Sequence, residues 1–414
     1  MIKFPGYYCS ICDADYSPDE VTYTWPKDGG NLNVILDYQW ILNNYCQQDI
    51  FNSAEYSVWR YLPLLPVSDP GGVSTPMHYA GYTPVYSTPD LANRVGVENI
   101  WIKDESRNPT ASFKDRASAI VVARAREIDA SVVVTASTGN AGAALAGMAA
   151  AIGQKAVIFA PRTAPPAKIA QLMVFGANVY LVDGTYDDAF DLTIQASNEF
   201  GWYCRNTGYN PFTAEGKKTA ALEIWEWMMG LKPALTKKLR IFVSVGDGNI
   251  ISGLHKGFKD LHALGWLEYI PKIFGVQASG SAAIANAFNA GGEKIVPVSA
   301  NTIADSISVD LPRDGIRAIR AVRETGGKYI IVGDDEIVAA IAELGKVGIF
   351  AEPAGAASYA GFVNARKNEL IQPDEPVLVI NTGSGLKDIR AAMKAVNEPL
   401  IIEPSMSALK KAIG

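Results

Sequence analysis

Histidine and cysteine are both scarce in this chain. Its three histidines, His78, His255 and His262, are scattered through 414 residues, so neither a Ser/His/Asp triad nor a histidine-rich metal centre is expected. Of the four cysteines, Cys46 and Cys204 stand alone and only Cys9 and Cys12 are close, which is no disulfide framework for this length. No run of basic residues occurs, and 37 Lys plus Arg against 43 Asp plus Glu leave a net charge of −6, which argues against nucleic acid or an anionic membrane as the main partner. The apolar stretches are too short to span a bilayer or are broken by Gly, Pro or charge. Met1-Ile2-Lys3-Phe4-Pro5 leads into no signal-peptide pattern, so a cytoplasmic protein is expected. With 48% hydrophobic and 19% charged residues the chain is globular, and its length predicts about two domains; disorder, collagen and small disulfide scaffolds are excluded.

The first 80 or so residues, rich in Tyr, Trp, Asp and Pro, read as an N-terminal extension packed on a larger body. From Ile100 onward, short apolar runs alternate with alanine-rich helical stretches. The runs are 131–135, 156–159, 178–182, 241–245, 273–276 and 377–380, with further helices expected at 187–200 and 215–229. That alternation predicts an α/β fold of open, mainly parallel twisted sheets flanked by helices. Ligands in such folds sit beyond the carboxyl ends of the strands.

Four loops at those positions carry chemistry. Ser137-Thr138-Gly139-Asn140 opens a helix whose free N–H groups and dipole suit an anion, although a plain N-cap explains an isolated loop of this kind equally well. Gly246-Asp247-Gly248-Asn249-Ile250 permits close backbone approach to a phosphate; its glycine spacing fits neither the dinucleotide nor the P-loop pattern. Thr382-Gly383-Ser384 offers two hydroxyls between glycines, or simply a turn. Lys114, among the small residues that open a helix, can become a nucleophilic amine through partial burial; alone, a surface lysine paired with Asp115 is the simpler account.

In order, Ser-Phe-Lys-Asp-Arg at 112–116, Ser-Thr-Gly-Asn at 137–140, the glycine loop at 246–250, Glu-Pro-Ala at 352–354 and Thr-Gly-Ser-Gly-Leu-Lys-Asp at 382–388 resemble the threonine synthases, which use pyridoxal phosphate on the tryptophan-synthase-β fold (fold type II). The likeness runs from about Tyr82 to Asp388. It implies that Lys114, following Phe113, is the Schiff-base lysine and proton carrier, and that Asn140 meets the phenolic oxygen of the cofactor. By the same likeness Gly246, Asp247, Gly248, Asn249 and Ile250 hold the phosphate, Thr382 and Ser384 face the pyridine nitrogen, and Ser137, Thr138, Gly139 and Asn140 receive the substrate carboxylate. The domains it implies are a cofactor-binding unit of residues 81–134 and 215–414 and a smaller mobile unit of 135–214, in a homodimer.

Three departures from that family stand out. Thr213 occupies the place of an arginine that holds the substrate phosphate, with Arg162 and Arg205 as possible replacements, and Asp247 puts a carboxylate where a neutral residue is usual. Cys9-Ser10-Ile11-Cys12 resembles half of a zinc ribbon, but Trp25-Pro26-Lys27-Asp28 stands where a second cysteine pair belongs, so no metal is expected. The leading expectation is a lyase converting O-phosphohomoserine and water to threonine and phosphate. The alternatives are a β-replacing synthase of the cysteate synthase type, an ammonia-lyase acting on a small non-phosphorylated amino acid, and a non-catalytic homologue. Joint presence of Lys114, Asn140 and Thr382 speaks against the last.

Overall fold

A computed structural model of the chain describes residues 4–164 and 166–413. Strands β1 (Gly6–Cys9), β2 (Asp15–Tyr16) and β3 (Leu32–Ile35) form a small antiparallel sheet in the order β2-β1-β3. β4 (Val85–Ser87) and β5 (Ile100–Asp104) begin the large sheet. The chain then leaves it to build a four-stranded parallel sheet from β6 (Val132–Ala136), β7 (Lys155–Pro161), β8 (Asn178–Val182) and β9 (Tyr203–Cys204), in the order β8-β7-β6-β9. On its return, β10 (Arg240–Ser244), β11 (Lys272–Ala278), β12 (Tyr329–Val332) and β13 (Val377–Asn381) complete the large sheet as β12-β11-β10-β13-β5-β4, parallel except for β4.

The strand runs expected at 131–135, 156–159, 178–182, 241–245, 273–276 and 377–380 are β6, β7, β8, β10, β11 and β13, each within a residue or two. All five residues of β13 are buried, as are four of the five in β10, because helices cover both faces of the sheet. Glycine lets one of these helices lie close: a Cβ on Gly361 would stand 2.3 Å from Val276 of β11. The boundary expected at residue 134 falls inside β6; hydrogen bonding puts all of β6 in the smaller sheet, so we propose that the smaller unit starts at Val132.

Five helices position the chemistry: α1 (Lys114–Glu127), α2 (Asn140–Ala151), α3 (Phe212–Met228), α4 (Asn249–Ala263) and α5 (Pro353–Lys367). α2 and α4 are entered from loops beyond strand ends, α5 from the loop that carries Glu352, and α3 packs along both α1 and α4. Residues 4–80 are built into the body. Val58, Tyr61 and Leu64 are buried in the main core, Phe4 packs edge-on to Phe212, and Arg60 pairs with Glu226 at 2.6 Å. Among the described residues no helix is long and apolar enough to cross a membrane.

Candidate active site

Distant segments are stitched together by backbone hydrogen bonds around the start of α1. Phe113 N–H donates to the Thr382 carbonyl (2.9 Å), Ser384 N–H to Ala111 (3.1 Å) and Glu352 N–H to Gly383 (3.0 Å), and Ser112 bridges Gly383. Ala111 takes a left-handed φ of +64°, which turns the chain into this contact. Gly383 is required by space, since a Cβ there would stand 2.3 Å from a Glu352 oxygen.

Lys114 opens on two adjoining cavities. The larger, about 380 Å³, is lined by Ser137, Thr138, Gly139, Asn140, Thr207, Asp247 and Arg313 among others; the smaller, about 40 Å³, lies between Lys217, Thr382 and the loop Gly246 to Ile250. Thr207 and Asp247 belong to both walls. The Lys114 amine has no hydrogen bond or ion pair among the described residues. Desolvation lowers its pKa; Arg205 adds to the lowering, while Glu352 and Asp247 oppose it.

Buried basic side chains gather at the smaller cavity. Lys217, fully buried on α3, donates to Asn249 Oδ1 at 2.6 Å, and burial aided by Lys114 and Arg205 pushes its pKa far down. Arg205 is fully buried behind Thr207, to whose hydroxyl it donates at 2.7 Å. Its Nη2 has no hydrogen-bond partner among the described residues, and desolvation lowers its pKa to about 10. Asp314 is already held by Arg317 at 2.6 and 2.7 Å, and Asp247 has its own pKa raised by burial. Gly246 and Gly248 complete the cradle. A Cβ on Gly246 would stand 2.9 Å from Ile307, and Gly248 has φ +93° with the Asp314 carbonyl 2.5 Å from where a Cβ would lie.

Asn140, at the start of α2, donates its Nδ2 to both oxygens of Glu352 at 2.9 Å. Glu352 is 3% exposed, and desolvation raises its pKa against the Asn140 hydrogen bond and the Lys114 charge. No role for it was read from the sequence, although Glu-Pro-Ala at 352–354 signals it. Lys217 was missed likewise, within Glu-Gly-Lys-Lys.

Three expected site residues do not line either cavity. Phe113 is buried beneath the Arg116 guanidinium, 5.5 Å from its ring centroid, and reaches the site only through its backbone. The Thr213 hydroxyl donates to the Asn210 carbonyl at 2.7 Å and lies 3.1 Å from Asn249 Oδ1, behind the cradle and away from the larger cavity. Ser384 Oγ accepts from Leu386 N–H at 3.3 Å and caps a short turn, so Thr382 is left as the hydroxyl residue of that loop that lines the cavity. The histidines take no part: His78 lies between Glu55 and Asp69, burial lowers the pKa of His255 to about 4, and His262 donates to the Leu267 carbonyl.

A cleft between two parallel sheets, an uncompensated lysine and a glycine cradle at a helix start define a class that the comparisons match. The family model of pyridoxal-phosphate dependent enzymes covers residues 77–383, and the chain belongs to that family. It is similar to the threonine synthase of Methanocaldococcus jannaschii, 38% identical over 408 residues, covering 98% of each chain. Likewise it is similar to that of Methanosarcina acetivorans, 36% identical over 409 residues, again covering 98% of each. Among solved structures it resembles the processed form of threonine deaminase isoform 2 from Solanum lycopersicum, with a TM-score of 0.67 and 25% identity over 85% of this chain and 94% of that one.

Proposed function

We propose that the protein is a pyridoxal-phosphate-dependent threonine synthase that converts O-phosphohomoserine and water to threonine and phosphate. The observation that carries the reading is the unpaired Lys114 amine beside a glycine cradle that buried Lys217 also lines, in a chain collinear with curated threonine synthases. The residues fit the cofactor. Gly246 and Gly248 let the loop pack against Ile307 and Asp314 where a side chain would clash, the first residues of α4 line the smaller cavity, and Lys217 in the same lining, with Arg205 behind Thr207, suits a phosphate dianion. Bound there, pyridoxal phosphate supplies the electron sink for carbanion chemistry.

Each remaining task falls to the chain's own residues. The lowered pKa of Lys114 keeps more of its amine neutral, so Nζ can carry protons between substrate carbons. The start of α2, with Ser137 and Thr138, receives the substrate carboxylate, and Asn140, oriented by Glu352, lines the same wall. Arg162 pairs with Asp183 at the exposed surface, whereas Arg205 is buried behind Thr207, so Arg205 is the better counterpart for an anionic ligand in place of an arginine at 213. Asp247 stands in the wall between the two cavities, where it partly offsets the cations. A homodimer in the cytoplasm is part of the same reading, and light scattering measures the assembly.

Two measurements test this. Yellow holoenzyme given saturating O-phosphohomoserine should release inorganic phosphate and threonine in equal amounts; absence of phosphate, or keto acid and ammonia from serine or diaminopropionate, would exclude the reading. Gly248→Ala is expected to weaken cofactor binding about tenfold or more, since a left-handed non-glycine residue costs roughly 1–2 kcal/mol before any clash with Asp314. Titrating apoprotein with pyridoxal phosphate reads this directly.

A further inference from the structure

We propose that Cys9, Cys12 and Asp28 form a binding site for one thiophilic divalent cation of the zinc class, at the outer face of the N-terminal sheet and separate from the catalytic cleft. The sequence alone gives Cys9 and Cys12 too few companions. The fold adds a third donor from a turn 16 residues beyond Cys12.

Two turns converge to make the site. In the first, β1 ends at Cys9 and the chain reverses through Asp13 (φ +54°); Cys9 N–H donates to the Ala14 carbonyl, and Ile11 N–H points at Cys9 Sγ from 3.5 Å. The second is closed by Trp25 N–H to Gly30 (2.9 Å) and Gly29 N–H to Trp25 (2.8 Å), and it presents the Asp28 carboxylate 3.7 and 3.8 Å from Cys9 Sγ. One donor atom from each of Cys9, Cys12 and Asp28 lies within 4.8 Å of the others. Zinc–sulfur bonds near 2.3 Å and zinc–oxygen bonds near 2.0–2.2 Å place tetrahedral donors roughly 3.5–3.8 Å apart, so this spacing needs little adjustment.

The surroundings fit a cation. Gly30 is the one residue type that permits the approach, because a Cβ there would stand 2.4 Å from Cys9 Sγ and 2.9 Å from Asp28 Oδ1. Its N–H donates to Asp28 Oδ1 at 2.7 Å and orients the carboxylate, as outer partners of metal ligands do. Both thiols are free, and Asp28 has no ion-pair partner among the described residues. The fourth position falls to water beside the Tyr16 hydroxyl, 3.3 Å from Cys12 Sγ, on a ring stacked against Trp25. Two thiolates with one carboxylate select zinc over calcium or magnesium.

The site also has a route to the cleft. Asn31, next to Gly30, donates to the carbonyls of Gly208 (2.5 Å) and Arg313 (2.9 Å), and Ser10 accepts from Arg320 at 2.8 Å. Arg313, and Thr207 beside Gly208, line the larger cavity, so a bound ion would fasten the strap that holds its rim.

The test uses full-length, thiol-reduced holoenzyme titrated with Co²⁺, read as difference spectra to the red of the cofactor band. One equivalent should give tetrahedral d–d bands that Zn²⁺ removes. Cys12→Ser, at an exposed position, should abolish them, Asp28→Asn should weaken binding by about tenfold or more, and Asp28→Cys should retain it. Lys114→Ala should bind cobalt as wild type does, which keeps this result independent of the catalytic reading. The proposal is overturned if reduced protein with both thiols titratable gives no bands, if Cys12→Ser binds as tightly as wild type, or if the pair forms a disulfide on oxidation but takes no cobalt when reduced.

Discussion

Lys114→Ala is expected to lose the visible cofactor band and at least about 10³-fold in turnover, because the residue is both the covalent anchor and the proton carrier. The same substitution should make the cofactor-free protein more stable. The folded-state pKa of Lys114 lies below the ordinary lysine value, so its protonated form is disfavoured by folding; that penalty is present at neutral pH and disappears only as pH rises past the unfolded value. Removing the amine relieves a cost on the order of 1–3 kcal/mol. Thermal melts of apoprotein should therefore shift upward while activity vanishes. A downward shift of the apo midpoint would make Lys114 a structural residue, and retained turnover would remove it from the mechanism.

Arg116→Met is expected to destabilise the protein by about 3–5 kcal/mol, the usual cost of leaving buried charges without their partner. Arg116 is fully buried; its Nε and Nη2 donate to Glu105 at 2.7 and 2.8 Å, Nη1 and Nη2 both reach Glu223, and Lys103 donates to Glu223 at 2.7 Å. Tyr82 and Thr83 N–H groups close on the same carboxylate. The network ties α1 to α3 two residues after Lys114, so the variant should also bind cofactor poorly. Arg116→Lys should rescue little, because an ammonium cannot serve two carboxylates as a planar fork does. Burial alone would raise the pKa of Glu223, but Arg116 and Lys103 override it and bring it down to about 2. That value lies below the unfolded carboxyl's 4.5, so the contribution is complete above about pH 4.5 and is lost as pH falls toward 2. Urea midpoints across that window should fall with pH in the wild type and much less in Glu223→Gln.

Much of the architecture was legible because parallel strands buried on both faces must be continuously apolar. Val377 to Ile380 and Ile241 to Val245 announce themselves for that reason. β12 was not, since Tyr329–Val332 is only four residues long and takes its register from β11. The N-terminal sheet was missed too: β2 has two residues, and its pairing rests on turns closed by Asp13 and on contacts with residues more than 170 positions away, such as Asn31 with Gly208. Ser384 and Thr213 show the opposite case. Their residue type and motif position suit a site, but local hydrogen bonding had already committed both hydroxyls.

The sequence by itself determined the elements and the chemistry available: glycines where backbone must approach a ligand, a lysine at a helix start, a shortage of histidine that this chemistry does not need. Those are local properties, written in residue type and short-range spacing. Tertiary structure alone decided which charges meet. It joined Glu352 to Asn140 across 212 residues, gathered Lys114, Lys217 and Arg205 around one cradle, and brought Asp28 to Cys9 and Cys12. Such meetings depend on how strands are ordered and turns close, and the strength of a charge depends on the water excluded around it, which no stretch of sequence carries on its own.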